Sequence, residues 1–235
     1  MIDIHNHSLF GVDDGAKTLE ESSEMLKEAY LQGVDTMILT PHYRHGIFQY
    51  SLNRIHMNYK QLEEKAKKIG IRLYLGCEYH VDSYIVEHLQ SGRCFSLAQG
   101  SYVLTEYEYE TESEHILFQT KDLILHGYTP IIAHPERYRC FQENPFFCEE
   151  LRNAGAMMQI NAGSVLGHSG RGEKSFCKKI LKNEWVDFIA SDTHNLKNRR
   201  NYMAKCYQYI TKRYGQEYAH LLFEANARSM IEQED

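Results

Sequence analysis

The sequence predicts an α/β fold in which seven parallel strands close into a (β/α) barrel with one polar site on its carboxyl-terminal rim. Three observations predict it. Short β-branched or apolar runs alternate with longer runs of helical periodicity from end to end, the pattern of parallel strands joined by crossover helices. No Ser-, Pro- or Gly-rich linker divides the 235 residues, so residues 1–235 are expected to form a single domain. Almost every strand run ends in His, Asp or Glu. Alternation alone would suit an open doubly wound sheet equally well, but a crevice at a switch point needs only two or three strand ends. Polar ends on nearly every strand fit a barrel, whose rim gathers one site from many strands.

The strand runs are residues 2–5, 36–40, 72–77, 102–106, 130–134, 157–161 and 187–191. Between the first two, Thr18 followed by Glu21 is a capping-box signature, residues 20–32 carry helical spacing, and Gly33 stands where a helix should end. This makes one β-α-β unit. Comparable helical patterns occupy residues 52–68, 114–126, 145–153, 172–183 and 200–214, with no internal repeat.

Composition narrows the functional classes. The chain is 43% hydrophobic and 25% charged, with 15 glycines and 4 prolines, which excludes collagen-like and disordered chains. Its formal charge of −6 provides no positive field for a nucleic-acid backbone or an anionic lipid surface. The opening MIDIHNH has no basic segment followed by an apolar one, and no uncharged apolar run approaches the roughly 18 residues of a membrane span. The expectation is a cytoplasmic chain with no nucleic-acid partner and no membrane insertion. Six cysteines, at 77, 94, 140, 148, 177 and 206, include no C-x-x-C pair and are read as reduced thiols.

The 13 histidines carry the chemical signal. The first strand ends His5-Asn6-His7, and a period of two puts both imidazoles on one side of an extended chain, where they can share a metal. Asp13-Asp14-Gly15 follows in a turn; alone, that pair of aspartates reads as a solvated turn. Later strands end in His42, Glu78, Glu106, His134, and Asp192 with His194. Each alone is an ordinary polar strand end. Together, with Asp14, five imidazoles and four carboxylates are enough donors for two or three divalent ions when one carboxylate bridges. With no cysteine among them, Mn²⁺, Fe²⁺ or Zn²⁺ in mixed N/O coordination fits better than a structural zinc site. Glu106, Glu108 and Glu110 share one side of an extended strand, so spacing does not choose among them. His80 shares a face with Glu78 and reads as a supporting or solvent-facing residue. The remaining histidines read as surface or structural, and Arg44, Arg139 and Arg200 as solvated.

The segments MIDIHNHSLFGVDDGAKTLEES, TPHYRHG, GCEYH, IIAHPERY and IASDTHN resemble the polymerase and histidinol phosphatase (PHP) superfamily. More narrowly, they resemble the manganese-dependent protein-tyrosine phosphatases encoded with capsule and exopolysaccharide assembly in Gram-positive bacteria. The resemblance runs from residue 1 to about residue 228. It implies a distorted seven-stranded (β/α) barrel with a trinuclear site: His5, His7, Glu78 and Asp192 on one ion; Glu78, Glu106 and His134 on the second, with Glu78 bridging; Asp14, His42 and His194 on the third. It favours Glu106 among the three glutamates. Arg137 in HPERY and Arg199 beyond SDTHN match positions that bind the substrate phosphate. Here Asn198-Arg199-Arg200-Asn201 replaces the Gly- or Pro-rich stretch of many relatives. The implied substrate is a phosphotyrosine protein, the tyrosine-rich tail of a bacterial tyrosine kinase controlling polysaccharide export.

Two rival phosphate chemistries fail in the text. No arginine lies six residues after any cysteine, so the C-x5-R loop of cysteine phosphatases is missing, and no G-x-x-x-x-G-K-[ST] phosphate loop occurs. A small-molecule PHP phosphatase, such as a histidinol phosphatase, would use the same rim. A metal-binding regulatory barrel without turnover is the alternative of a different class.

Overall fold

Parallel pairing runs through every ladder of the computed structural model, which describes residues 1–232. The strands are β1 (Ile2–Asp3), β2 (Thr36–Leu39), β3 (His42–Tyr43), β4 (Arg72–Leu75), β5 (Glu78–His80), β6 (Tyr102–Glu106), β7 (Thr129–Ala133), β8 (Met157–Asn161) and β9 (Phe188–Ala190). One ladder has the order β1-β2-β4, the other β3-β5-β6-β7-β8-β9. Two expected strands are thus each in two pieces, giving nine segments where seven runs were read. The first break falls at Pro41, which has no N–H to give a ladder. The second falls at Gly76, where a Cβ would come within 2.7 Å of Leu97 Cδ2. The pieces still run together across the breaks, because Gly76 N–H donates to the Leu39 carbonyl at 2.9 Å and Glu78 N–H to that of Pro41 at 3.2 Å. Closure comes from the chain beyond β1, where Asp192 N–H donates to the His5 carbonyl at 2.8 Å and His7 N–H to that of Thr193 at 2.9 Å.

The longer helices are α1 (Leu19–Leu31), α2 (Leu52–Ile69), α4 (Ser113–Leu125), α8 (Arg171–Lys182) and α9 (Met203–Tyr214); shorter ones are α3 (Ile85–Gln90), α5 (Arg139–Glu143), α6 (Phe147–Asn153), α7 (Ala162–Leu166), α10 (Gln216–His220) and α11 (Asn226–Glu232). Thr18 caps α1 by accepting from Glu21 N–H at 3.2 Å. Glu21 reaches back to the N–H of Lys17 at 2.8 Å, one residue earlier than a capping box requires. Gly70 ends α2 at φ +97°, a conformation that costs glycine little.

Strand parity divides the core. Ile38, Leu104, Ile131, Ala133, Phe188 and Ala190 belong to an inner cluster that Ala227 and Met230 of α11 help to close. Met37, Leu39, Ile132, Met158, Ile160 and Ile189 pack outward in the cluster that also holds Leu26, Leu62, Ile116 and Ile180 from the helices. Two residues beyond the inward Leu104 and Ala190, on the same face, stand Glu106 and Asp192. Gln159 and Asn161 continue the inward face of β8, so the apolar interior gives way to a polar layer at the carboxyl-terminal rim.

Asp3 staples the closure. Its Oδ2 accepts from Ser191 Oγ at 2.6 Å and its Oδ1 from Ser191 N–H at 3.0 Å, all out of contact with water. Asp3→Ala leaves those donors unpaired and should cost about 1–3 kcal/mol, measured as a lower urea midpoint. A midpoint equal to wild type would show that the seam closes without it.

Candidate metal centre

The nine expected donor residues converge at the carboxyl-terminal rim, and Glu78 is at their centre. Its side chain is fully buried. Oε1 lies 2.8 Å from His134 Nε2, and Oε2 lies 3.0 Å from His42 Nδ1 and 3.2 Å from both His5 Nε2 and His7 Nε2. Asp192 Oδ1 stands 3.6 Å from His5 Nε2, 3.5 Å from His7 Nε2 and 3.4 Å from His194 Nδ1. Asp14 Oδ1 is 3.5 Å from both His42 Nε2 and His194 Nε2. Glu106 closes the far side, 3.6 Å from His42 Nδ1 and 3.7 Å from His134 Nε2.

Donor atoms within 4.8 Å of one another form four overlapping sets: His7, Asp14, His42 and His194; His5, His134 and Asp192; His5, His7 and Glu78; and His42, Glu78 and Glu106. Because His5, His7, His42 and Glu78 each belong to two sets, the nine residues make one continuous cluster. These sets share the expected members but divide them differently, with His42 beside Glu78 as well as Asp14, and His134 beside Asp192.

The donor set fits divalent cations. Donor nitrogens crowd together across the cluster, with His5 Nε2 and His7 Nε2 3.3 Å apart. Glu78 Oε2 and His194 Nε2 are buried without a hydrogen bond. Such an arrangement leaves buried acceptors unpaired unless positive charge lies between them. Mixed imidazole and carboxylate donors suit Mn²⁺, Fe²⁺ or Zn²⁺.

The protonation balance points the same way. Burial would raise the Glu78 pKa, yet the charges of His5 and His42 hold it well below the usual carboxylate range. Burial likewise opposes ionisation of Asp192, and Arg137 and His5 overcome it. Burial would depress His7, but the Asp13 hydrogen bond and charge leave its pKa well above the usual imidazole value. His194, buried beside His7, is pushed down to about 4.

A further layer orients the ligands, and the sequence did not announce it. Asp13, which read as a solvated turn, is buried; its Oδ2 accepts from His7 Nδ1–H at 2.8 Å and from His42 N–H at 2.9 Å, and its Oδ1 from Gly15 N–H at 2.8 Å. With Nδ1 committed to Asp13, Nε2 is the His7 nitrogen turned to the cluster. The partner of His5 Nδ1 is Gln159 Oε1 at 2.8 Å. Gln159 in turn donates to Asn161 Oδ1 at 2.9 Å, and Asn161 donates to Asp192 Oδ2 at 2.8 Å. Tyr138 Oη lies 3.2 Å from His134 Nδ1. The period-two inward face of β8 was the available signal for Gln159 and Asn161. His134 and Asp192 themselves adopt left-handed backbone at φ +35° and +49°, strain of the kind held at functional sites by surrounding structure.

Both expected arginines lean on Asp192: Arg137 Nη2 donates to Oδ2 at 2.7 Å, and Arg199 Nη2 to Oδ1 at 3.1 Å. Each remains about one-third exposed, facing the rim. Arg200 instead pairs with Glu28 of α1 at 2.9 Å. Glu108 pairs with Arg44 and Glu110 with Arg139, so of the three glutamates only Glu106 turns to the cluster. His80 bridges Glu106 and Glu108 at 3.3 Å each, outside the four sets. Five of the six cysteines are buried, and burial pushes the half-exposed Cys140 thiol up to about 11. None of the described helices is long and apolar enough to cross a membrane.

Known proteins carry the same architecture. The family model described as capsular polysaccharide synthesis, CpsB/CapC, matches residues 1–232. Tyrosine-protein phosphatase CpsB of Streptococcus pneumoniae is 37% identical over 238 aligned residues, covering 98% of both chains. Tyrosine-protein phosphatase YwqE of Bacillus subtilis is 34% identical, covering 98% of this chain and 91% of its own. A crystal structure from work on YwqE and CpsB, described there as unique metal-dependent tyrosine phosphatases, superposes with a TM-score of 0.92 at 31% identity, covering 100% of this chain and 96% of that one. A phosphotriesterase homology protein from Escherichia coli superposes at 0.61 with 12% identity, covering 98% of each chain, a likeness of fold alone. By a match that spans residues 1–232 and relatives above 30% identical along nearly their whole lengths, the chain belongs to the capsular polysaccharide synthesis CpsB/CapC family.

Proposed function

We propose that residues 1–235 act as one metal-dependent phosphatase domain that hydrolyses phosphotyrosine in proteins, with His5, His7, Asp14, His42, Glu78, Glu106, His134, Asp192 and His194 as metal ligands and Arg137 and Arg199 as phosphate-binding residues. The observation that carries the reading is the clustering of nine donor residues, buried Glu78 among them, with two rim arginines beside them, in a chain whose relatives are named tyrosine-protein phosphatases. When bound, divalent ions lower the pKa of a water toward about 7 and neutralise phosphoryl oxygens in an in-line displacement. Mn²⁺ is the proposed ion, in two to three copies per chain.

The protein's own part is to hold, orient and neutralise. Asp13, Gln159 and Tyr138 fix the rings of His7, His5 and His134, so ligand geometry is set before substrate arrives. Arg137 and Arg199 stay charged at any working pH and present planar donor pairs matched to phosphate oxygens. Both arginines donate to Asp192. The substrate proposed is the tyrosine-rich tail of a bacterial tyrosine kinase of polysaccharide export, and the place of action the cytoplasm, in keeping with six free thiols.

Protein prepared without chelator should carry two to three divalent ions per chain by elemental analysis. EDTA should abolish turnover of an aryl phosphate and Mn²⁺ restore it in part, while alkylation of accessible cysteines leaves it largely intact. One ion or none with activity retained would sink the trinuclear assignment. Loss of His7 orientation in Asp13→Ala should weaken divalent-cation affinity by about 10–100-fold, read by metal titration of the unloaded protein; an unchanged affinity would make Asp13 a loop staple only.

Specificity follows from proton supply. Every imidazole and carboxylate of the cluster is committed as a ligand, which leaves none to protonate a leaving group. A tyrosine departs as a phenolate whose conjugate acid has a pKa of about 10, whereas a serine alkoxide is far more basic and needs a general acid. Matched peptides carrying phosphotyrosine should therefore show a much higher kcat/KM than those carrying phosphoserine. A ratio near one would reveal an acid overlooked here, with His80 the first to test.

A further inference from the structure

The rim does not end at the cluster. A cavity of about 510 Å³ opens beside it, sharing Glu106, His134 and Arg137 with the candidate centre. A second, of about 70 Å³, lies across Arg137, where Asp192 and Arg199 line it. Arg137 and Ser169 line both. Open space on both flanks of the phosphate-binding arginines is more than a small phosphate ester needs and suits a polypeptide passing over the site. The flanks differ in charge. On the smaller side stand Arg199, Arg200 and His168; the walls of the larger include Glu108 and Glu173, with the half-exposed Tyr109 between chain and solvent.

The two glutamates are not equivalent. Glu108 is already held by Arg44 and by His80 Nε2. Glu173, in the first turn of α8, forms no ion pair among the described residues, and its carboxylate folds over Gly170, where a Cβ would come within 2.4 Å of Oε2. Its carboxylate lines the larger cavity. Resting on the phosphotyrosine phosphatase reading above, we infer that this cavity is a peptide subsite in which Glu173 selects substrates carrying a basic residue next to the phosphotyrosine.

Three phosphotyrosyl peptides, identical except for Lys, Ala or Glu at the positions flanking the phosphotyrosine, test this with Mn²⁺-loaded full-length protein. The expected order of kcat/KM is Lys, then Ala, then Glu, with steps of about threefold at low salt that shrink at about 0.5 M salt. In Glu173→Lys the order should reverse, and in Glu173→Gln the spread should collapse. A merely structural Glu173 would change all three peptides alike. If Glu173→Lys does not fold, the wild-type order and Glu173→Gln still decide. Equal rates on the three peptides, or an order unmoved by the Glu173 variants, would overturn the subsite while hydrolysis of para-nitrophenyl phosphate keeps the phosphatase reading. Failure of the loaded wild type on para-nitrophenyl phosphate and on all three peptides would overturn that reading and the subsite with it.

Discussion

A single buried carboxylate sets the terms for the rest of this molecule. Glu78 meets four imidazole nitrogens between 2.8 and 3.2 Å while none of its surface reaches water. An ionised carboxylate in such a place is tolerated only if it is paired. Its partners come from the first, second and fifth strand positions of the chain, so satisfying one residue fixes the mutual placement of segments up to 73 positions apart in sequence, from His5 to Glu78, and of His134 beyond. The barrel is the scaffold on which that convergence costs no irregular backbone except at the rim itself.

That exception is informative. His134 and Asp192 take up left-handed backbone, and the ladder breaks at Pro41 and Gly76, all within two residues of a cluster member. Regular strands deliver side chains at a period of two to one face, which is enough to bring Glu106 and Asp192 inward but leaves neighbouring positions pointing away. A positive φ re-aims the odd position, so His134, directly after the inward Ala133, also faces the cavity. Local strain of about 1–3 kcal/mol per such residue is held by the packed barrel around it.

Much of this was legible in the sequence because donor identity and strand position are both one-dimensional information. The alternation of parallel strands with helices, the polar residues at or just beyond most strand runs and the helix between Thr18 and Gly33 all correspond to what the fold contains, and Glu106, favoured by resemblance, lies beside His42 and His134. What could not be read depends on three-dimensional closure. Asp13 looks like its solvated neighbour Asp14 until the loop returns to lay it behind His7 and under the N–H of His42. Tyr138 follows a strand end without any periodic signal, and Gln159 becomes meaningful only when β8 is known to lie across from His5. The short helices after residue 215 lack a long periodic face, since part of their apolar surface serves to plug the barrel through Ala227 and Met230.

The arginines tie the donor cluster to the open rim. Asp192 is a member of the donor cluster and at the same time the hydrogen-bond partner of Arg137 and Arg199. A carboxylate that binds a cation shares its charge with that cation, and its hold on a nearby guanidinium weakens accordingly. On the proposed function, metal loading and phosphate binding would be coupled through one side chain: a cation sharing the charge of Asp192 would leave two planar donor groups facing an open rim, where a dianion is the natural partner. Such coupling would let a chain with a net charge of −6 bind an anion, since the local arrangement of Asp192, Arg137 and Arg199 counts for more than the sum over the surface.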